Sequence, residues 1–186
     1  MKIQVQDILQ TQPKVLHFVG KEPFLQEILG RLVADDVKPA VALPISNEIR
    51  ADLEVARDGR NVSVTGDAHA VIHVPCARCL NSVTITLDPH IDLALLPAPK
   101  DEKEADEMEL NPDELDDYTY KNDEIDVGAI LNEQLLLEKP FKVVCAEECK
   151  GLCPSCGIDL NESLCTCTAP PKSLAFTALK DFKPSH

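Results

Sequence analysis

The stretch Glu48–Val74, EIRADLEVARDGRNVSVTGDAHAVIHV, contains two runs in which apolar and polar residues alternate. Ile49, Ala51, Leu53 and Val55 fall on one side against Arg50, Asp52 and Glu54, and the pattern resumes with Val62, Val64, Ala68, Ala70, Ile72 and Val74. A period of two sends alternate side chains to opposite faces of a strand, and Asp58-Gly59 between the runs is a turn signal. The stretch therefore predicts a hairpin with one buried face. Downstream, Ser82–Pro97 (SVTITLDPHIDLALLP) places Val83, Ile85, Leu87, Ile91, Leu93 and Leu95 on one side. Pro89 cannot donate to a ladder, so it either bends an edge strand or separates two strands. Three or four antiparallel strands in a meander are the expectation.

Beyond the strands the period becomes helical. Val127, Ile130, Leu131 and Leu135 recur at three- and four-residue spacing, Asp126 can cap the start and Pro140 forbids continuation, which predicts a helix covering the sheet. Near the C-terminus, PPKSLAFTALKDF offers Ser173 as a cap and Ala175, Ala178, Leu179 and Phe182 as the apolar stripe of a short helix that needs a surface to dock on. In the N-terminal third, KEPFLQEILGRLVADD has a weaker helical pattern, interrupted by Pro23 and Gly30 and followed by Pro39. No repeat at solenoid spacing is present.

The chain has 186 residues, enough for one sizeable core and a small module. Hydrophobic residues make up 44% and aromatics only 4%, with no Trp, so the core must be aliphatic. The N-terminus lacks the apolar stretch of a secretory signal, and no run approaches the roughly 18 apolar residues of a membrane helix. The expectation is a cytoplasmic protein without membrane association.

Net charge is −14, and its distribution is uneven. Between Asp101 and Asp126, 13 acids face Lys103 and Lys121, a local balance of −11. Such a like-charged, apolar-poor segment favours an extended linker or insertion, either merely solvated or attracting a basic protein. The expected organisation is residues 1–98 as N-terminal segment and antiparallel sheet, 99–125 as acidic linker or insertion, and 126–186 as covering helix, Cys-rich zinc module and short C-terminal helix. The fold class is α+β: an antiparallel β-meander covered by a helix, with a small C-terminal zinc-binding module.

Six of the eight cysteines lie within Cys145–Cys167: Cys145, Cys149, Cys153, Cys156, Cys165 and Cys167. Reducing conditions in the cytosol disfavour disulfides, so clustered thiols point to metal. CPSCG, from Cys153 to Gly157, has the form of a zinc knuckle: two thiolates converge on one ion, and the glycine tolerates the left-handed turn that aims backbone N–H groups at sulfur. Its partners are Cys165 and Cys167, Cys145 and Cys149, or the distant CARC pair Cys76 and Cys79, and spacing does not choose between them. Locality favours the C-terminal six, since closing a loop of about 70 residues costs about 2 kcal/mol more than closing one of about ten. Eight cysteines also divide into two four-thiolate sites. Zinc fits such sites, and rubredoxin-like iron is the chief metal alternative. No catalytic residues are indicated: His69, His73 and His90 lie on or beside strands, and there is no nucleophile-and-base pair, phosphate-cradling loop or metalloenzyme motif.

VPCARCLNSVTITL, EIDVGAILNEQLLLEKP, CAEECKGLCPSCGIDLNESLCTC and the closing FTALKDF, in that order, resemble the YceD family of large ribosomal RNA subunit accumulation proteins. The family's motif residues correspond to Cys76, Arg78, Cys79 and Leu80, then Cys145, Cys149, Gly151, Leu152, Cys153, Cys156, Gly157, Leu160, Asn161, Cys165 and Cys167. Some relatives keep the first element and lack the C-terminal cysteines, so the resemblance favours a self-contained C-terminal site. It implies a non-catalytic ribosome biogenesis factor supporting accumulation or processing of large-subunit ribosomal RNA, with a large-subunit ribosomal protein or pre-ribosomal particle as partner. Direct RNA binding through the zinc module is the second reading, handicapped by sparse Lys and Arg. A thiol redox or metal-carrier protein is the third.

Overall fold

The pattern around Asp58-Gly59 sets the frame of the molecule. In the computed structural model, which describes residues 1–34, 48–98 and 118–167, strands β3 (Glu48–Asp58) and β4 (Asn61–Pro75) form one antiparallel hairpin. Its register runs without a slip from Asp58↔Asn61 to Glu48↔Val71, and the predicted inward residues Ile49, Ala51, Leu53, Val55, Val62, Val64, Ala68, Ala70, Ile72 and Val74 are all buried. Gly66 lies so close to β3 that an added Cβ would stand 2.1 Å from the Asp52 carbonyl oxygen, so no other residue fits there unshifted.

β4 is long enough to carry two partners end to end. On the edge away from β3 it pairs with β5 (Ser82–Leu87) through Pro75↔Ser82 to Ala70↔Leu87, and with β6 (His90–Pro97) through Asp67↔His90 to Val62↔Leu95. Both ladders keep a single register, so Asp88 and Pro89 span the gap without inserting or deleting a residue. Pro89 has no N–H to give, yet its carbonyl accepts from the Ala68 N–H at 3.1 Å. It separates two strands that otherwise continue one another.

The remaining strands extend the sheet and depart from a plain meander. β2 (Lys14–Val19) pairs antiparallel with β3, burying Leu16 and Phe18, while β7 (Tyr118–Tyr120) lies parallel to β6. The sheet order is β2-β3-β4-β6-β7, with β5 also on β4. A separate two-stranded ladder joins β1 (Lys2–Gln4) to β8 (Glu124–Asp126). The sheet is thus mainly antiparallel, in an α+β architecture. Residues 118–126, the last part of the acidic stretch, form β7, β8 and the turn between them. Residues 99–117 and the C-terminal helix expected within 170–182 lie outside the described residues.

Two helices cover the inward face of the sheet. In α2 (Val127–Glu138) the buried residues are Val127, Gly128, Ile130, Leu131 and Leu135. The Asp126 carboxylate accepts from the Ala129 N–H at 3.0 Å as the N-cap, and the helix stops before Pro140. The weak N-terminal signal proves to be a full helix, α1 (Pro23–Ala34), burying Leu25, Ile28, Leu29 and Leu32. Pro23 is tolerated because it opens the helix, where its missing N–H has no partner to lose. The two helices pack on each other and on β4, and Lys139 Nζ donates to the Leu32 carbonyl at 2.7 Å, tying the end of α2 to α1. The chain therefore leaves α2 at a fixed point beside the β4–β5 turn. The outward sheet face is polar, with His17 paired to Asp52 and His90 to Asp67. Among the described residues no helix is long and apolar enough to cross a membrane.

Candidate metal centres

The β4–β5 turn is the first cysteine site. Cys76 N–H donates to the Asn81 carbonyl at 2.8 Å and Leu80 N–H returns to the Cys76 carbonyl at 3.0 Å, a closed knuckle around Cys76 and Cys79. The second knuckle repeats this at matching positions: Cys153 N–H to Ile158 O at 2.8 Å, Gly157 N–H to Cys153 O at 2.9 Å. The residue after the second cysteine is left-handed in both, Leu80 at φ 64 and Gly157 at φ 74. Glycine announces the turn at Cys153–Gly157. At Cys76–Leu80 a leucine pays the steric cost, and the sequence holds no such announcement.

Each knuckle meets a second pair of cysteines. Cys76, Cys79, Cys145 and Cys149 form one set and Cys153, Cys156, Cys165 and Cys167 the other, with the sulfurs of each set all within 4.8 Å of one another. Locality favoured a site contained within residues 145–167; the structure instead divides the six and brings the distant CARC pair to Cys145 and Cys149. Every thiol falls in one of the two sets. Sγ–Sγ distances are 3.9 Å for Cys76–Cys149, 3.6 Å for Cys79–Cys145 and 3.4 Å for Cys153–Cys165. A disulfide would need about 2 Å. A tetrahedron of sulfurs at about 2.3 Å from a central ion has edges of about 3.8 Å, so the spacing suits one metal ion per set.

Backbone and side-chain donors hold the sulfurs. Arg78 N–H and Cys145 N–H point at Cys76 Sγ at 3.4 and 3.3 Å, and Asn161 Nδ2 at Cys149 Sγ at 3.4 Å. Burial pushes the Cys76 thiol up, but the N–H groups of Cys79, Arg78 and Cys145 outweigh it and bring it down to about 6. Cys153 reaches about 6 through the N–H groups of Cys156 and Ser155, with help from the Cys165 thiol. The neighbours pay for this: Cys145 is pushed up to about 12 by Cys149 and Cys79, and Cys167 up to about 12 by Cys156. Four thiolates repel one another until a cation stands between them, and a metal cation at the centre of each set would supply that charge.

Arg78 links the two sites. Its Nη1 donates to the carbonyls of Glu147 and Cys149 at 2.9 and 2.8 Å, and its own carbonyl accepts from Leu152 N–H at 3.0 Å. Ala77 N–H also donates to Val143 O at 2.8 Å, so the knuckle is sewn to the segment leaving α2. Gly151 stands against this contact with φ +76, where an added Cβ would come within 2.8 Å of the Arg78 carbonyl oxygen. Asp159 accepts from Asn81 Nδ2 at 2.9 Å and from Asn161 N–H at 2.8 Å, while Asn161 Oδ1 accepts from Lys150 N–H at 2.8 Å. Asn81 and Asp159 escaped sequence reasoning, since short polar residues beside cysteines carry no periodic signal.

The histidines stay outside both sets: His69 pairs with Asp88, His90 with Asp67, and His73 with Thr84. Each site is an all-sulfur donor set, the pattern of a closed structural site in which no ligand position is left for a substrate.

No solved structure matches the chain. An uncharacterized protein of Mycobacterium tuberculosis is 34% identical over 119 residues, covering 59% of this chain and 50% of its own length. The chloroplastic large ribosomal RNA subunit accumulation protein YCED homolog 1 of Arabidopsis thaliana is 24% identical over 175 residues, 83% of this chain and 54% of its own length. Its namesake in Zea mays is 26% identical over 141 residues, 64% and 48% of the two chains. The chain thus spans about half the length of the curated relatives it matches. The family model described as large ribosomal RNA subunit accumulation protein YceD matches residues 64–183, from the middle of β4 past the last cysteine, and the chain belongs to the YceD family.

Proposed function

We propose that this protein is a non-catalytic ribosome biogenesis factor, acting in the cytoplasm to support accumulation of large-subunit ribosomal RNA, with two structural zinc ions holding its C-terminal half. The observation that carries the reading is the family match over residues 64–183, which takes in all eight cysteines. The names of the plant relatives point the same way. Cys76, Cys79, Cys145 and Cys149 would hold one ion and Cys153, Cys156, Cys165 and Cys167 the other; bound zinc would supply the positive charge that lets four thiolates converge. The chain's own residues do the positioning: Arg78 fixes the Cys145–Cys149 loop, and Asn161 orients Cys149.

Charge argues for a basic protein as first contact, either a large-subunit ribosomal protein or a pre-ribosomal particle displaying one. Of the net −14, −11 falls between Asp101 and Asp126, and each ion held by four thiolates leaves about two further negative charges. Bare phosphate backbone is repelled by such a field, which reaches about 8 Å at physiological salt. Crosslinking in growing cells, followed by identification of captured protein and RNA, tests the reading. Large-subunit ribosomal proteins should be recovered, less of them when Asp113, Glu114, Asp116 and Asp117 are changed to Asn or Gln. Ribosomal RNA contacts without any ribosomal protein, unchanged by neutralisation, would move direct RNA recognition to first place. Deletion of the gene without change in the ratio of large- to small-subunit ribosomal RNA would sink the family-level reading itself.

A further inference from the structure

Two histidines that stand outside the cysteine sets meet at one place on the outward sheet face. Asp67-Ala68-His69 in β4 runs antiparallel to Asp88-Pro89-His90, which leads from the end of β5 into β6. His90 Nδ1 is bonded to Asp67 Oδ1 at 2.8 Å, and His69 Nδ1 to Asp88 Oδ1. Between the two pairs the Ala68 N–H donates to the Pro89 carbonyl at 3.1 Å, over the buried Ala68 side chain. This is the joint at which β4 exchanges β5 for β6, and Pro89 leaves it one backbone donor short. The two side-chain pairs close it from either side.

We propose that these two Asp-x-His units form a pH-sensitive clamp on the joint between β5 and β6, one that tightens as the histidines take up protons. An ionised carboxylate only accepts, so each Nδ1 carries a hydrogen and the proton that comes and goes belongs to Nε2. With neutral imidazoles the surroundings are repulsive. Asp52 of β3 stands directly opposite Asp67, and like charges so placed destabilise a sheet. His17 of β2 is bonded to Asp52 at 2.6 Å. Glu54 and Asp92 occupy the row on one side; on the other Arg50 stands opposite His69, with Glu48 a row beyond. These six carboxylates against Arg50 leave −5 on the face, and protons on His17, His69 and His90 bring it to −2. The hydrogen bond and charge of Asp67, with a smaller push from Asp92, hold His90 above its ordinary value.

Because the folded value of His90 lies above that of the unfolded chain, its stabilisation is complete below the unfolded value of about 6.5 and is lost as the pH rises through the folded one. Amide hydrogen exchange of the full chain reads the joint directly. Protection of the Ala68 N–H, corrected for the intrinsic rate and taken relative to an amide of α2, should fall roughly two- to tenfold from about pH 5.5 to about pH 8, the worth of two exposed ion pairs. Asp67 and Asp88 are 80% and 64% exposed, so Asp67→Asn/Asp88→Asn keeps an acceptor at each place and removes no core side chain. Its profile should be flat. Imidazole NMR should show His90 titrating lower in Asp67→Asn than in the unaltered chain. A flat profile in the unaltered chain, the same fall in the double variant, or a His90 titration unmoved by Asp67→Asn would each overturn the proposal.

Discussion

Cys76–Leu80 and Cys153–Gly157 build the same turn with the same hydrogen bonds, yet one is a joint of the whole molecule and the other an appendage. The first set joins residues 73 apart, Cys76 and Cys149, and sits with Val83, Val144 and Leu152 around it. The second joins Cys153 to Cys165 only 12 residues on, and leaves Cys156 and Cys167 exposed. What differs is not the ligand chemistry but what the ligands are attached to. An ion in the first site would tie the tip of a β-hairpin to the chain leaving α2. In the second it would order a loop that already hangs from Arg78. By loop closure alone, the longer loop costs about 2 kcal/mol more to close, a cost offset by the hydrogen bonds that hold the Cys145–Cys149 loop to the knuckle.

The largest expected effect comes from removing one knuckle at a time. Cys76→Ser/Cys79→Ser should lower stability by more than about 4 kcal/mol, as loss of a buried metal site does, and release residues 143–167 together with the β4–β5 tip. Cys153→Ser/Cys156→Ser should free only residues from about 151 onward and leave the sheet protected. Elemental analysis should show each double variant losing one ion of two. Hydrogen exchange resolved by segment decides the comparison: equal loss of protection in both would mean the two sites are one cooperative unit.

Chelation sharpens the same contrast without mutation. The second site should give up its ion roughly tenfold faster, given its exposed sulfurs and its attachment to one loop outside the sheet. Alkylation of the intact protein under chelator, mapped by mass spectrometry, should label Cys156, Cys165 and Cys167 before Cys76, Cys79 and Cys149. The reverse order would contradict the burial seen here.

Arg78 carries the next effect. Its guanidinium donates to two carbonyls of the Cys145–Cys149 loop, and hydrogen bonds from a charged donor are worth about 1.5–3 kcal/mol to stability. Arg78→Ala should cost that much and speed metal loss from the first site. Arg78→Lys should recover part of it, since an ammonium reaches one carbonyl more readily than two. Normal metal retention in Arg78→Ala would reduce the residue to a surface charge.

Much of the fold was legible because burial imposes a period. The Glu48–Val74 hairpin follows from alternation and its turn, and α2 from Val127, Ile130, Leu131 and Leu135 between a cap and a proline. α1 was faint because Pro23 and Gly30 read as breakers, though one opens the helix and the other faces open space. β1, β7 and β8, at three residues each, are too short to show any period. The sequence named the two-site division only as an alternative and could not choose it, for an energetic reason. The loop-closure preference for near partners, about 2 kcal/mol, is smaller than the sum of the hydrogen bonds that Arg78, Ala77 and Cys145 make across the distant pair.

The smallest effect tests whether the two knuckles are one turn written in two ways. Leu80 holds φ 64 without being glycine, at a cost of about 1–2 kcal/mol, and its side chain is 56% exposed. Leu80→Gly removes that cost but gives the unfolded chain about 0.5–1 kcal/mol more entropy to lose. The net should be a stabilisation of roughly 0.5 kcal/mol, by the difference of those two terms. Gly157→Leu runs the other way and should destabilise the second site by about 1 kcal/mol; no atom stands within 4 Å of an added Cβ there, so only the backbone conformation is charged for it. Denaturation midpoints of metal-saturated protein give the signs. A loss of stability in Leu80→Gly would mean the Leu80 side chain is held by the knuckle itself, and that the two turns are alike in outline only.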